Sequence, residues 1–304
     1  MSEDTNGLTP TQCGLCGADD FHVLHRRKKS QHPAGPLQAH ATTDVYDDYG
    51  QIVKCRRCTF VYQNPRPDEA TFLDAYINMS DPGYQLEDDS RAINAHRSLH
   101  FIKSFKKTGR LLDVGCLTGH ILNAARLNFQ GTGIEPSKWA AAFARDQMKL
   151  DVIQGVFEKI DLPKENFDVI TMADVIEHFS DPLSALKKAH SVLAPEGILY
   201  LVTPNIASLS ATILGSYWWG LRSAHFVYFT PQTMEEMLRK AGFRILTLRS
   251  YGRIFTYGYW ISRLKNYPRF LSKPLAVLID KLGLEQKMAY INTFDSFELC
   301  AIKD

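Results

Sequence analysis

The stretch Leu111–Leu122, LLDVGCLTGHIL, decides the fold. The leucines that open it predict a buried strand, and Asp113 lies at the carboxyl end of that strand. Gly115 and Gly119 bracket a predicted tight turn that leads into a helix, because glycine allows a positive φ or a close approach to a ligand. Since ligands of open α/β sheets bind at the carboxyl ends of strands, we expect this turn to line a ligand site.

The residue types around the turn indicate the ligand. A dinucleotide-binding turn would read G-x-G-x-x-G, and this turn does not. A buried aspartate would repel a pyrophosphate, whereas Asp113 would attract the ammonium and the sulfonium of S-adenosylmethionine. Glu135 follows Asp113 by 22 residues, at the end of a second predicted strand. An acid about 20 residues further on accepts hydrogen bonds from a ribose diol in this architecture.

The pattern D-x-G-x-x-x-G, with an acid after the second strand, resembles the class I S-adenosylmethionine-dependent methyltransferases, from about Lys106 to Phe243. The resemblance implies a doubly wound, mostly parallel seven-stranded α/β sheet of the Rossmann-like kind. It departs from the commonest family sequence at Leu117, where that sequence has a further glycine. The cofactor-binding residues that it implies are Asp113, Gly115, Cys116, Gly119, Glu135, Pro136, Phe157 and Ala173.

Two C-x-x-C pairs precede this core, Cys13 with Cys16 and Cys55 with Cys58. The two-residue gap lets both thiolates of a pair reach one tetrahedral zinc ion, and four thiolates leave no open position for catalysis. We therefore expect a small structural zinc ribbon over residues 1–67 and a methyltransferase domain over residues 68–304.

The ribbon, the N-P-R-P sequence that follows it and the core together resemble the zinc-ribbon methyltransferases of deoxysugar and surface-polysaccharide biosynthesis. Some of these are sugar C-methyltransferases, which usually carry a further C-terminal domain that this sequence is too short to hold. The segment AHFVYFT, which contains His225, is similar to their E-H-F-S-Y-F-S stretch, where the histidine is the proposed general base. The resemblance implies His225 as the base, and His178, after the fourth strand, is the second catalytic candidate. Either imidazole could instead be satisfied by backbone hydrogen bonds alone.

These features predict a methyltransferase that acts on a small molecule, at a hydroxyl of a nucleotide-linked or glycan-linked sugar. Trp218, Trp219 and Arg222 should lie near the acceptor, since aromatic rings stack on sugars and arginine can pair with a diphosphate. The alternative function is that of an RNA methyltransferase, in which the ribbon binds RNA phosphates. A net charge of +2 and a short basic cluster argue against it. A binding protein that has lost the chemistry is a third class.

The stretch 251–284 is aromatic and basic, and residues 251–290 could form a lid or an amphipathic insertion. It could also be a dimer surface or a peripheral membrane contact. The polar first twenty residues carry no signal-peptide pattern, and no apolar run is long enough to span a bilayer. We therefore expect a cytoplasmic protein. The sequence does not determine an oligomeric state.

Overall fold

The computed structural model describes residues 8–28, 49–264 and 269–304. Its helices are α1 (Glu69–Ile77), α2 (Asp88–Ile102), α3 (His120–Ala125), α4 (Lys138–Asp146), α5 (Pro182–Val192), α6 (Leu209–Leu214), α7 (Pro231–Lys240), α8 (Tyr257–Arg263) and α9 (Arg269–Lys281). Its strands are β1 (Leu8–Thr9), β2 (Phe21–His25), β3 (Ile52–Cys55), β4 (Val61–Gln63), β5 (Arg66–Pro67), β6 (Gly109–Val114), β7 (Phe129–Glu135), β8 (Val152–Gln154), β9 (Phe167–Ala173), β10 (Leu193–Pro204), β11 (Val227–Tyr228), β12 (Phe243–Ser250), β13 (Arg253–Thr256), β14 (Met288–Ile291) and β15 (Ser296–Lys303).

A seven-stranded sheet in the order β12-β15-β10-β9-β6-β7-β8 forms the core. The pairs β10–β9, β9–β6, β6–β7 and β7–β8 are parallel, and β15 runs antiparallel to both of its neighbours. The prediction of a mostly parallel seven-stranded sheet is confirmed. The stretch Leu111–Leu122 also forms the predicted strand, turn and helix, because β6 ends at Val114 and α3 begins at His120.

Both faces of this sheet are covered by helices. Leu112 and Ile170 pack into a buried cluster with side chains of α5 and α7, whereas Leu111 and Val169 pack on the other face with side chains of α2 and α3. Successive residues of a strand point to opposite faces, so a strand that is apolar throughout must be buried on both. Proline begins two of these helices, α5 after Asp181 and α7 after Thr230, since proline suits the first turn of a helix.

A second sheet has the order β11-β4-β3-β2. Cys55 is the last residue of β3, Cys58 lies between β3 and β4, and Cys13 and Cys16 precede β2. Three of its strands belong to the predicted ribbon, and the fourth, β11, comes from residues 227–228. Val227 pairs with Tyr62, and Tyr228 pairs with Val61. The ribbon sheet therefore shares a strand with the segment that directly follows His225.

Candidate active site

A cavity of about 640 Å³ lies at the carboxyl ends of β6, β7 and β9. Its floor includes the glycine turn, and its walls come from parts of the chain that are far apart in sequence. Phe72 and Tyr76 of α1 line it, as do Tyr259 and Trp260 of α8. The cavity therefore lies at the edge of the sheet where the sequence predicted a ligand site.

The eight predicted cofactor residues divide into two groups around this cavity. Gly115, Pro136, Phe157 and Ala173 line it directly. The other four lie buried behind the wall: Asp113, Cys116, Gly119 and Glu135. Four of the eight therefore line the cavity, and the role of all eight in cofactor binding stays a prediction.

The turn between β6 and α3 needs its glycines. Gly115 has a φ of +69°, and a Cβ there would lie 2.5 Å from Val175. Gly119 has a φ of +87°, and a Cβ there would lie 2.3 Å from Leu150. Leu117, between them, also has a positive φ, of +46°. A left-handed conformation costs a residue with a Cβ about 1–2 kcal/mol, which explains why glycine is common at this position in the family.

Two buried carboxyls face this turn from the ends of adjacent strands. Asp113 accepts a hydrogen bond from the Thr171 hydroxyl, with 2.6 Å between the oxygens. Glu135 accepts hydrogen bonds from the backbone N–H groups of Leu117 at 2.9 Å and Ser137 at 2.7 Å. Burial raises the pKa of each carboxyl to about 7, and these hydrogen bonds offset part of the rise. A carboxylate has about four acceptor positions, so Glu135 could also accept from a ligand hydroxyl.

Aromatic and basic side chains of the segment after α1 also contribute to the cavity wall. Tyr84 lines the cavity, and the Arg91 guanidinium lies 3.5 Å from the centre of its ring. The Ser137 hydroxyl donates a hydrogen bond to the Met79 carbonyl at 3.0 Å, which ties the start of this segment to β7. The segment between α1 and α2 therefore packs against the glycine turn region.

Both predicted catalytic histidines lie in the cavity wall, with their ring centres 4.9 Å apart. Nδ1 of His178 lies 2.8 Å from the Ala224 carbonyl, and Nδ1 of His225 lies 2.9 Å from the Gly220 carbonyl. A carbonyl only accepts, so Nδ1 carries the proton in each ring and Nε2 keeps its lone pair. Burial lowers the pKa of His178 to about 4 and that of His225 well below its ordinary range. Both imidazoles are therefore neutral at neutral pH.

Carboxyls and an arginine lie beside the two histidines. Arg253 of β13 forms two hydrogen bonds of 2.7 Å with the carboxylate of Asp174, which has a φ of +56°. Glu177 accepts a hydrogen bond from the Thr203 hydroxyl at 3.0 Å, and burial raises the pKa of its carboxyl. The Asp174–Arg253 pair joins the end of β9 to the segment 251–290, which was predicted as a lid or an amphipathic insertion.

Only two of the three residues predicted to lie near the acceptor line the cavity. Trp219 and Arg222 line the cavity, but Trp218 is 1% exposed and packs among apolar side chains of the ribbon sheet and α6. The indole N–H of Trp218 donates to the Asp295 carboxylate at 3.3 Å, and that of Trp219 donates to the same oxygen at 2.5 Å. Trp218 is therefore a core residue, and the prediction that it lies beside an acceptor is wrong.

The segment predicted as a lid or insertion has two different parts. Its first part, β13 and α8, walls the cavity with Arg253, Phe255, Tyr259, Trp260, Arg263 and Leu264. Its second part, α9, exposes apolar side chains, among them Val277 at 51% and Leu278 at 52%. Within the described ranges, no helix combines the length and the hydropathy needed to cross a bilayer.

The four ribbon thiols form one cluster, in which all four sulfur atoms lie within 4.8 Å of one another. Sγ of Cys13 lies 3.4 Å from that of Cys58, and Sγ of Cys16 lies 3.6 Å from that of Cys55. Tetrahedral zinc with bonds of about 2.3 Å places sulfur atoms about 3.8 Å apart, so the cluster fits this ion. Burial raises the pKa of the Cys13 thiol to about 11.

Comparisons with known proteins agree with this geometry. A family model described as a methyltransferase domain matches residues 87–248, just over half of the chain. A crystal structure of a SAM-dependent methyltransferase from Archaeoglobus fulgidus aligns with a TM-score of 0.51 at 18% identity, covering 73% of this chain and 100% of that one. At this identity the structural likeness shows the fold alone.

Curated relatives share the central part of the chain. The ubiquinone biosynthesis O-methyltransferase of Rhodopseudomonas palustris (strain HaA2) is 30% identical over 159 residues, covering 48% of this chain and 62% of that protein. The protein of the same name from Ruegeria pomeroyi is 32% identical over 146 residues, covering 44% and 59%. The chain therefore spans less than two thirds of the length of these relatives.

Proposed function

The chain belongs to the methyltransferase-domain family, and from that membership we propose that it transfers the methyl group of S-adenosylmethionine to a hydroxyl of a small molecule. The glycine turn and the two buried carboxyls support binding of a cationic cofactor at one end of the cavity. The histidines and aromatic side chains of the same cavity support an acceptor at the other end. Asp113 would attract the positive charge of the cofactor, and Glu135 would accept from its ribose.

Methyl transfer is an in-line displacement at a sulfonium, so the protein mainly positions the acceptor oxygen against the methyl group. Such positioning can contribute about 7–11 kcal/mol. A hydroxyl loses its proton as the new bond forms, and we assign that proton to Nε2 of His225. The observation that carries this assignment is the hydrogen bond from Nδ1 to the Gly220 carbonyl, which leaves Nε2 as the basic nitrogen. His178 has the same arrangement and is the second candidate.

For the acceptor, a sugar linked to a nucleotide or a glycan remains our proposal. Two residues that line the cavity support a sugar acceptor. The Trp219 ring can stack on a sugar, and the Arg222 guanidinium can pair with a diphosphate. A hydroxylated aromatic ring is the second candidate, because the curated relatives are named as O-methyltransferases of ubiquinone biosynthesis. Binding of RNA is not favoured, since a cavity rather than a basic surface carries the candidate site.

The ribbon thiols, in this proposal, hold one structural zinc ion. Cys13, Cys16, Cys55 and Cys58 supply four sulfur ligands, which leave no coordination position for a substrate. Zinc would convert these thiols to thiolates and join two knuckles that are far apart in sequence.

One experiment tests the proposed reaction. The purified protein is incubated with methyl-labelled S-adenosylmethionine and, in separate reactions, with nucleotide-sugars, hydroxylated aromatic compounds and total RNA. We expect label in a small-molecule fraction and none in RNA. Label in RNA alone would overturn the proposal, and absence of cofactor binding by calorimetry would remove the reaction altogether.

Replacing His225 with glutamine tests the base. We expect turnover to fall by about a hundredfold or more, with cofactor affinity retained. An unperturbed imidazole would make turnover rise with pH near 6.5. Because burial lowers the pKa of His225 well below that range, we expect the rise at lower pH instead. Normal turnover in the variant would exclude this role and leave His178 or positioning alone.

A further inference from the structure

The ribbon sheet and the acceptor side of the cavity share backbone hydrogen bonds. The N–H of Gln63, at the end of β4, donates to the carbonyl of Phe226 at 2.8 Å. Val227 and Tyr228 then continue the pairing with β4. His225, which lines the cavity, is the residue directly before this pairing begins. The position of the His225 backbone is therefore fixed from one side by a strand of the ribbon.

Side chains strengthen the same connection. The ring of Phe60, in the ribbon, lies 5.5 Å from that of Phe229, and the Arg66 guanidinium lies 5.6 Å from the ring centre of Phe226. From the core side, the Phe226 N–H donates to the Glu177 carbonyl at 2.9 Å. The segment 225–229 is thus held between the ribbon and the loop after β9.

The thiol cluster, in turn, determines where β4 begins. Cys55 ends β3, its N–H donates to the Phe60 carbonyl at 2.9 Å, and its carbonyl accepts from the Thr59 N–H at 3.1 Å. This tight turn contains Cys58 and leads directly into β4. The first knuckle is attached separately to the core, because Nζ of Lys240 in α7 donates to the Leu15 carbonyl at 2.6 Å. An ion bound by both knuckles would hold the start of β4 against the core.

We propose that a metal ion bound by the four thiols positions His225, through β4 and β11, so that the ribbon is a scaffold of the acceptor site. The cysteines and Gln63 are then positioning residues, and none of them touches the acceptor. The importance of this coupling for turnover rests on the proposed role of His225, but the coupling itself is structural.

The test compares the full-length protein as purified, after removal of metal by a chelator, and after addition of zinc. Amide hydrogen exchange is followed in residues 226–229 and, as an internal control, in the buried strand β10. The ¹⁵N shifts of the His225 ring report its tautomer, with His190 of α5 as the reference histidine. Calorimetry measures cofactor binding in each sample.

Without metal we expect exchange in residues 226–229 to accelerate by about tenfold or more, since only their contacts with the ribbon are lost. The His225 shifts should move from the single Nδ1–H tautomer toward a mixture, and zinc should restore both readouts. Exchange in β10, the His190 shifts and cofactor affinity should stay the same. Unchanged exchange in residues 226–229 would overturn the inference, as would an equal acceleration in β10.

A matched pair of variants keeps the inference testable if chelation precipitates the protein. Cys16→Ser removes one ribbon thiol, whereas Cys300→Ala removes a buried thiol of β15 outside the ribbon. We expect only the first variant to change exchange in residues 226–229, and the opposite pattern would refute the coupling. Because exchange requires no acceptor, these results decide the inference even if His225 proves unnecessary for turnover.

Discussion

Replacing Asp113 with asparagine should stabilise the cofactor-free protein at alkaline pH. Burial raises the pKa of this carboxyl from 3.8 to about 7. Each pKa unit is worth about 1.4 kcal/mol, so keeping the ionised carboxyl buried costs about 4 kcal/mol. Asparagine is neutral and can still accept the hydrogen bond from Thr171, so the variant avoids this cost.

The sign of the effect follows from the raised pKa. The folded state holds its proton more tightly than the unfolded state, so the contribution of Asp113 to stability is complete below pH 3.8. It is lost as pH rises to about 7. The variant should therefore match the wild type near pH 4 and exceed it by up to about 4 kcal/mol near pH 8. Urea unfolding across this range measures the difference.

The same variant should bind the cofactor more weakly, because neutral asparagine lacks the negative charge that attracts the cationic cofactor. In the wild type, the bound cation also stabilises the ionised form of Asp113. In the wild type, cofactor affinity should fall by up to about tenfold for each pH unit below 7, and the variant should lose that dependence. Asp146→Asn, at an exposed position in α4, is the control and should change neither quantity. A stability difference that does not vary with pH would refute this account of Asp113.

Three further predictions concern the turn and the ribbon. Glu135→Gln should weaken cofactor binding by roughly 1.5–3 kcal/mol, because one charged hydrogen-bond acceptor is lost; equal affinity in calorimetry would exclude the ribose contact. Leu117→Gly should raise the free energy of unfolding by about 1 kcal/mol, since glycine takes a positive φ without strain, and a lower value in urea unfolding would contradict this. Metal analysis of protein never exposed to a chelator should find one zinc ion per chain, and Cys58→Ser should lower that zinc content. A zinc content near zero in the wild type would refute the site.

The sequence predicts the central sheet well because its signals are local. An apolar run of about seven residues, a glycine turn and a proline at a helix start each specify an element without knowledge of its partners. For this reason the strand and the helix on either side of the glycine turn lie where predicted, with β6 ending at Val114 and α3 beginning at His120. The candidate cofactor residues could also be predicted from the sequence, because they follow consecutive parallel strands.

The walls of the cavity could not be predicted to the same extent, because they depend on contacts between distant segments. Nothing in the two residues of β11 indicates that they pair with a strand about 165 positions earlier. Trp218 and Trp219 are adjacent and chemically identical, yet one is a core residue and the other lines the cavity. The shared acceptor of their indole N–H groups, Asp295, lies more than 70 residues further along the chain.

The position of β15 has a consequence for synthesis of the chain. Because β15 lies between β10 and β12, these two strands cannot pair with each other, and each keeps an open edge until residues 296–303 have been made. Open edges of long apolar strands promote association with other chains. A nascent chain is thus most exposed to aggregation after β12 has been translated, and loss of the β15 segment should leave an insoluble product.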